Sequence, residues 1–197
     1  MLNWPELLLR LRLAANTSIF QNVWLVLIVF TLLLLLTAAV HEFGHLLAGY
    51  FVRFRFHLLV IGPVRVSRVD GRLRLERQRG GSLFNGLVAS LPDETDNLAR
   101  RLFYFALGGP LASLLLSLIA LAVMLILGSN LTNQLDYLWL WECSLFTAVA
   151  SYFFLLTAIR PGKYQNGMVA DGGRMLMVLT HSPQGDRWQA LVRLNAI

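Results

Sequence analysis

His41-Glu42-Phe43-Gly44-His45 is the stretch of this chain whose residue types and spacing could do chemistry. On a helix, residues four apart share a face. Both imidazoles can therefore bind one metal ion, and Glu42, next to the first, can reach a water on it. With zinc as the ion, the pKa of that water falls to about 7 and a carboxylate can take its proton as it attacks a carbonyl. That is hydrolytic chemistry, with Glu42 as general base and acid. The plainer alternative is a pair of hydrogen-bonded core histidines with no metal. Their setting weighs against it, because ionisable groups inside an apolar run are costly to bury and mark functional sites.

The elements that must position these residues are apolar. Hydrophobic residues make up 56% of the 197 and charged ones only 14%, against about 25% charged in an ordinary globular domain. A soluble chain of this size cannot hide that much apolar surface, so a lipid bilayer is the expected solvent. Apolar runs cover residues 23–52, 102–127 and 138–159, each long enough to span with roughly 20 residues. The expectation is an all-α membrane protein with a core of three transmembrane helices, forming a single domain over residues 1–197. Before the first run, Leu7, Leu8, Leu9, Leu11 and Leu13 with Arg10 and Arg12 read as an interfacial amphipathic helix. Residues 172–181 read as a short helix after Gly172 and Gly173.

The net charge of +6 is topological in this reading and does not indicate nucleic acid. Two of the 17 Lys and Arg precede residue 23, ten lie between 53 and 101, none between 102 and 159, and five follow. The basic loop and the C-terminus are therefore expected on the cytoplasmic side, with residues 128–137 and the N-terminus outside. Within the loop, Val64-Arg65-Val66-Ser67 and Arg72-Leu73-Arg74-Leu75-Glu76 alternate around Asp70-Gly71, which predicts a small β-hairpin. Such a hairpin either covers the membrane face or offers its edge to an extended substrate. The single cysteine, Cys143, excludes an intrachain disulfide.

Two histidines leave a catalytic zinc one protein ligand short. His57 lies among aromatics and arginines beyond the first run, and His181 lies in the polar tail. Glu142 sits near the far end of the third run, where it reads as a snorkelling interfacial residue. Asp171 follows that run on the inner side, ahead of two glycines that let the backbone turn. Asp171 is the expected third ligand.

Taken together, the histidine motif at the inner end of the first run, Gly108-Gly109-Pro110 in the second and Asp171-Gly172-Gly173 after the third resemble the site-2 protease family of intramembrane zinc metalloproteases. The resemblance spans about residues 23–180. It implies a three-helix core, zinc on His41, His45 and Asp171, and cleavage of membrane-embedded protein or peptide substrates near the cytosolic side. This chain departs from the family at Ser113 and Ala158, where asparagine is common. Those changes leave the ligands intact and bear on substrate binding. Pro161 and Gly162 suggest unwound backbone before Asp171, tolerable at membrane depth where it lines a cavity.

Two rival readings follow from the same residues. One is a catalytically inactive, zinc-binding membrane scaffold, suggested by Ser113 and Ala158. Retention of Glu42 argues against it, since zinc binding alone does not need that carboxylate. The other is a metal transporter, which needs a polar path across several spans, and the second and third carry almost no ligands.

Overall fold

In the computed structural model, residues 4–78, 86–130, 135–162, 169–180 and 182–195 are described. Helix α1 (Trp4–Thr17) and a 3-10 turn (Ile19–Gln21) lead into α2 (Val23–Phe51). α2 starts where the Asn22 side chain accepts hydrogen bonds from the Trp24 and Leu25 N–H groups, at 2.9 and 3.3 Å. Four strands follow: β1 (Phe54–Ile61), β2 (Val64–Val69), β3 (Arg72–Arg77) and β4 (Gly86–Pro92). Helices α3 (Leu98–Gly128), α4 (Leu138–Ile159), α5 (Asp171–Leu179) and α6 (Pro183–Asn195) complete the chain. α2, α3 and α4 are long and apolar enough to cross a membrane.

The three long helices pack through small residues. A side chain at Gly44 would overlap the Gly108 carbonyl and the Ala112 methyl, and one at Gly108 would overlap the Gly44 carbonyl. α2 and α3 therefore cross with their backbones in contact, the arrangement that glycine permits between apolar helices. α3 and α4 are tied by hydrogen bonds from Ser151 Oγ to the Ser113 carbonyl (2.7 Å) and from Ser117 Oγ to the Ala148 carbonyl (3.0 Å).

The expected hairpin is present, with Asp70 and Gly71 both at positive φ (51° and 77°), the backbone of a two-residue turn that matches strand twist. It is half of a larger antiparallel sheet in the order β3-β2-β1-β4. β1 and β4 escape a search for alternation because β1 is central and packed on helices. Its Phe54 and Leu59 join Val88, Leu98, Leu102, Phe105 and Val178 in one buried cluster, so it reads as an extension of the apolar run before it. β1 leaves α2 after two residues and turns back along it. Phe54 lies against Gly49, whereas Gly86, paired with Ile61 at the other end of β1, lies against Glu42. That folding-back brings β4 to the histidine motif.

Two other expectations need correction, and one element is additional. α3 begins at Leu98, four residues ahead of the apolar run, because Leu98 and Leu102 are buried under the sheet. α5 begins at Asp171, with both glycines inside its first turn, where an acidic residue favours the helix end. The polar tail forms α6, whose Trp188 and Val192 pack on the buried cluster.

Glu142 is the largest departure among the charged residues. It does not snorkel: it is 5% exposed. Its two carboxylate oxygens accept hydrogen bonds from Ser18 Oγ (2.6 Å) and the Ile19 N–H (2.9 Å). A second tie, Arg10 to Asp136 at 2.9 Å, holds α1 near the start of α4. Glu142→Ala leaves two donors unpaired and is expected to cost about 1–3 kcal/mol. Thermal unfolding in detergent measures this. Metal content should not change, because α4 carries Glu142 roughly 25 Å from its Asp171-proximal end. A simultaneous loss of metal would show that the two ends of α4 are coupled.

Candidate metal centre

α2 presents His41 and His45 one turn apart, both buried, and α5 brings Asp171 to them. Asp171 Oδ2 lies 3.2 Å from His41 Nε2 and 3.3 Å from His45 Nε2. Among the described residues these three form the group able to hold a metal ion. His57 is exposed at the bulge in β1, where its Nδ1 faces the Arg55 carbonyl. His181 lies outside the described residues.

The chain reaches Asp171 by breaking its helix. α4 ends at Ile159, Arg160 is extended, and Pro161 and Gly162 bend away. The Ala170 N–H donates to the Gly162 carbonyl at 3.0 Å, and Asp171 follows as the first residue of α5. Residues 160–162, 169 and 170 are non-helical as the sequence suggests, while 163–168 lie outside the described residues. Gly172 sits directly on the Ile159 carbonyl, where any side chain would collide. Ala158 is buried beside this corner, 2% exposed.

The imidazoles are held with their Nε2 atoms inward. His45 Nδ1 is 2.8 Å from the Phe105 carbonyl, which can only accept, so Nδ1 carries a proton and donates. His41 Nδ1 pairs with Ser113 Oγ at 2.9 Å. His41 Nε2, His45 Nε2 and Asp171 Oδ2 thus converge, an arrangement that a proton on an imidazole or a bound cation can satisfy. Burial alone would raise the Asp171 carboxyl, but its hydrogen bonds with His41 and His45 overcome this and hold it well below the usual carboxylate range.

Space for such a cation exists on the α3 side. A Cβ on Gly109 would overlap the Nε2 atoms of both histidines. Gly109 therefore leaves room where the three ligand atoms meet. Gly108 and Gly109 thus have two separable duties: close crossing of helices and an open floor under the imidazoles. Glu42 is buried in the same cavity, of about 70 Å³, which Leu87 and Val88 of β4 also line with Arg174 of α5. A side chain on Gly86 would strike the Glu42 carboxylate.

Sequence reasoning treated Ser113 as a departure touching substrate, whereas the structure places it behind His41. Its signal was weak, a small polar residue four positions past Gly109 on the same helix face. Arg174, 3.8 Å from Asp171 Oδ1, was not singled out either. Ser113→Ala is expected to weaken zinc binding about tenfold, since a histidine loses the group that fixes its tautomer. Competition against a chelating dye measures it. Unchanged affinity would mean that Ser113 only packs. Comparison with protein-family models, curated proteins and solved structures gives no match to this chain.

Proposed function

We propose that this chain is an intramembrane zinc metalloprotease, similar to site-2 proteases, that hydrolyses peptide bonds of membrane-embedded substrates. The observation that carries this reading is the meeting of His41 Nε2, His45 Nε2 and Asp171 Oδ2 in one buried cavity with Glu42. Ligand atoms at zinc's usual bond lengths of about 2.0–2.1 Å in a tetrahedral array stand about 3.3 Å apart. The separations of 3.2 and 3.3 Å fit that spacing. Zinc held there supplies Lewis-acid polarisation of water and of the scissile carbonyl.

The chain's own residues do the rest. Glu42 takes a proton from the attacking water on its carboxylate and returns it to the departing amine nitrogen. Phe105 and Ser113 hold the imidazoles in the required tautomers. Leu87, Val88 and the flanking apolar helices exclude bulk water from the cavity. A helical substrate hides its carbonyls in its own hydrogen bonds, so cleavage needs an extended segment. β4 is the outermost strand on the cavity side of the sheet and suits strand addition better than the β2–β3 hairpin. α2, α3 and α4 cross the bilayer in this reading, with the Arg-rich loop and the C-terminus cytoplasmic.

An inactive scaffold would keep zinc and cleave nothing. Glu42, buried in the cavity, supports the protease. The test is metal analysis of the purified protein alongside cleavage of a tethered transmembrane substrate, before and after chelation. Cleavage should vanish with zinc and return when zinc is restored. Cleavage that survives complete removal of the metal would sink the reading, and zinc without cleavage of any candidate substrate would favour the scaffold.

A further inference from the structure

At the inner ends of α2 and α3, two residues other than glycine hold a positive φ. Arg53, just past the end of α2, has a φ of 56°, and Asn97, just ahead of α3, has a φ of 50°. The place after a helix end is where glycine is the usual occupant. An arginine held there against backbone strain points to a use for its side chain. The Asn97 side chain makes no capping hydrogen bond to α3. Both residues line one open groove of about 400 Å³ between the end of α2 and the start of α3.

The groove carries charge of both signs. Its base is Arg101, whose side chain is 13% exposed. Arg101 Nε donates to the Val52 carbonyl at 3.0 Å, and its guanidinium also donates to the Glu94 carbonyl. The Glu94 carboxylate is shared, 3.8 Å from Arg101 and 3.5 Å from Arg53. Arg100 is differently placed. It lies 5.6 Å from the centre of the Tyr104 ring and forms no ion pair among the described residues. Asp96 is exposed and also lacks an ion-pair partner among the described residues. One guanidinium and one carboxylate thus line the same groove without pairing to each other, with Arg53 and Glu94 beside them.

We propose that this groove binds the headgroup of a phospholipid with a free ammonium, phosphatidylethanolamine. Arg100 and Arg53 hold its phosphate, and Asp96 and Glu94 take its ammonium. Guanidinium groups match phosphate oxygens, and an ammonium brings three N–H donors to the carboxylates. A purely anionic headgroup would set its charge against Asp96, and a trimethylammonium has no N–H to donate. The surroundings favour a lipid over soluble phosphoethanolamine, which has the same polar groups. Phe51 and Tyr104, 74% and 42% exposed, wall the groove, and aromatic rings of this kind settle at headgroup depth. Phe51, Leu47 and Phe43 follow at four-residue steps along α2, and all three are exposed. That row is an apolar track for an acyl chain leading away from the groove. The proposal rests on α2 and α3 crossing the bilayer and not on zinc or proteolysis.

The test titrates the full-length protein in mild detergent with dioleoyl phosphatidylethanolamine, phosphatidylcholine or phosphatidylglycerol, or with soluble phosphoethanolamine, and follows the adducts by native mass spectrometry. The ethanolamine lipid should bind about threefold or more tightly than the other two lipids. Arg100→Gln should weaken it about threefold. Arg53→Gly keeps the backbone conformation, removes the other guanidinium and should act in the same direction. Asp96→Asn should lower the ethanolamine lipid to the level of phosphatidylcholine and leave phosphatidylcholine itself unchanged. Equal affinity for the three lipids, or a preference for phosphatidylglycerol, overturns the proposal. So does an ethanolamine preference that survives all three substitutions, because the lipid then sits elsewhere. Soluble phosphoethanolamine that binds as tightly as the lipid overturns a lipid as the occupant. A chain that takes up no phospholipid at all removes the membrane placement and the proposal with it, whereas the preceding outcomes leave that placement and the metal centre untouched.

Discussion

Glu42→Gln should stop cleavage while leaving the zinc content per chain unchanged. The substitution keeps the size of the side chain, so Gly86 of β4 meets the same shape and the sheet stays seated on α2. It removes the carboxylate that accepts the water's proton, a role worth about 10²- to 10⁴-fold in rate. His41, His45 and Asp171 are untouched, so metal mass spectrometry on the same preparation should match the unsubstituted protein. Cleavage at the normal rate by Glu42→Gln would show that the proton moves elsewhere and that the mechanism is wrong. Loss of zinc along with activity would place Glu42 among the ligands.

Gly109→Ala should abolish metal binding without unfolding the protein. Alanine is the better helix former, so α3 itself should tolerate it. The added methyl would overlap the Nε2 atoms of His41 and His45, the position a metal's ligands must leave open. Zinc should fall to below roughly one in ten chains, because a tetrahedral site with two displaced ligands has little affinity left. Gly162→Ala is the matched control, since no heavy atom lies within 4 Å of its added carbon, and it should bind zinc normally. His41→Ala, His45→Ala and Asp171→Ala should lose zinc and activity together. Full zinc occupancy in Gly109→Ala would mean the ion sits elsewhere, and full occupancy in Asp171→Ala would mean the third ligand is another group.

What could be read before folding was what depends on neighbours in the chain. His41 and His45 fall on one face because a helix repeats every 3.6 residues. The three long apolar helices follow from hydropathy summed over about 20 residues. Asp70-Gly71 marks its turn because few other pairs accept two positive φ angles in succession. Each is a local property, and the structure contains each of them.

The remainder depends on residues brought together from far apart. Glu142 could be judged only by its surroundings, and Ser18 and Ile19, more than 120 positions earlier, turn an apparent surface carboxylate into a buried acceptor. Ser113 looked like a substitution at a substrate-binding position until the crossing of α2 and α3 set it against His41, 72 positions away. β1 is hidden in the sequence because burial by helices erases the alternation that announces a strand. Composition and spacing thus determined the apolar helices and the paired histidines of α2. The sequence already pointed to Asp171, but only the tertiary structure shows how that carboxylate reaches the histidines, because that turns on how α4 ends. The break after Ile159 and the return of Ala170 to Gly162 deliver Asp171 to His41 and His45, while Glu142 remains fastened at the other end of α4.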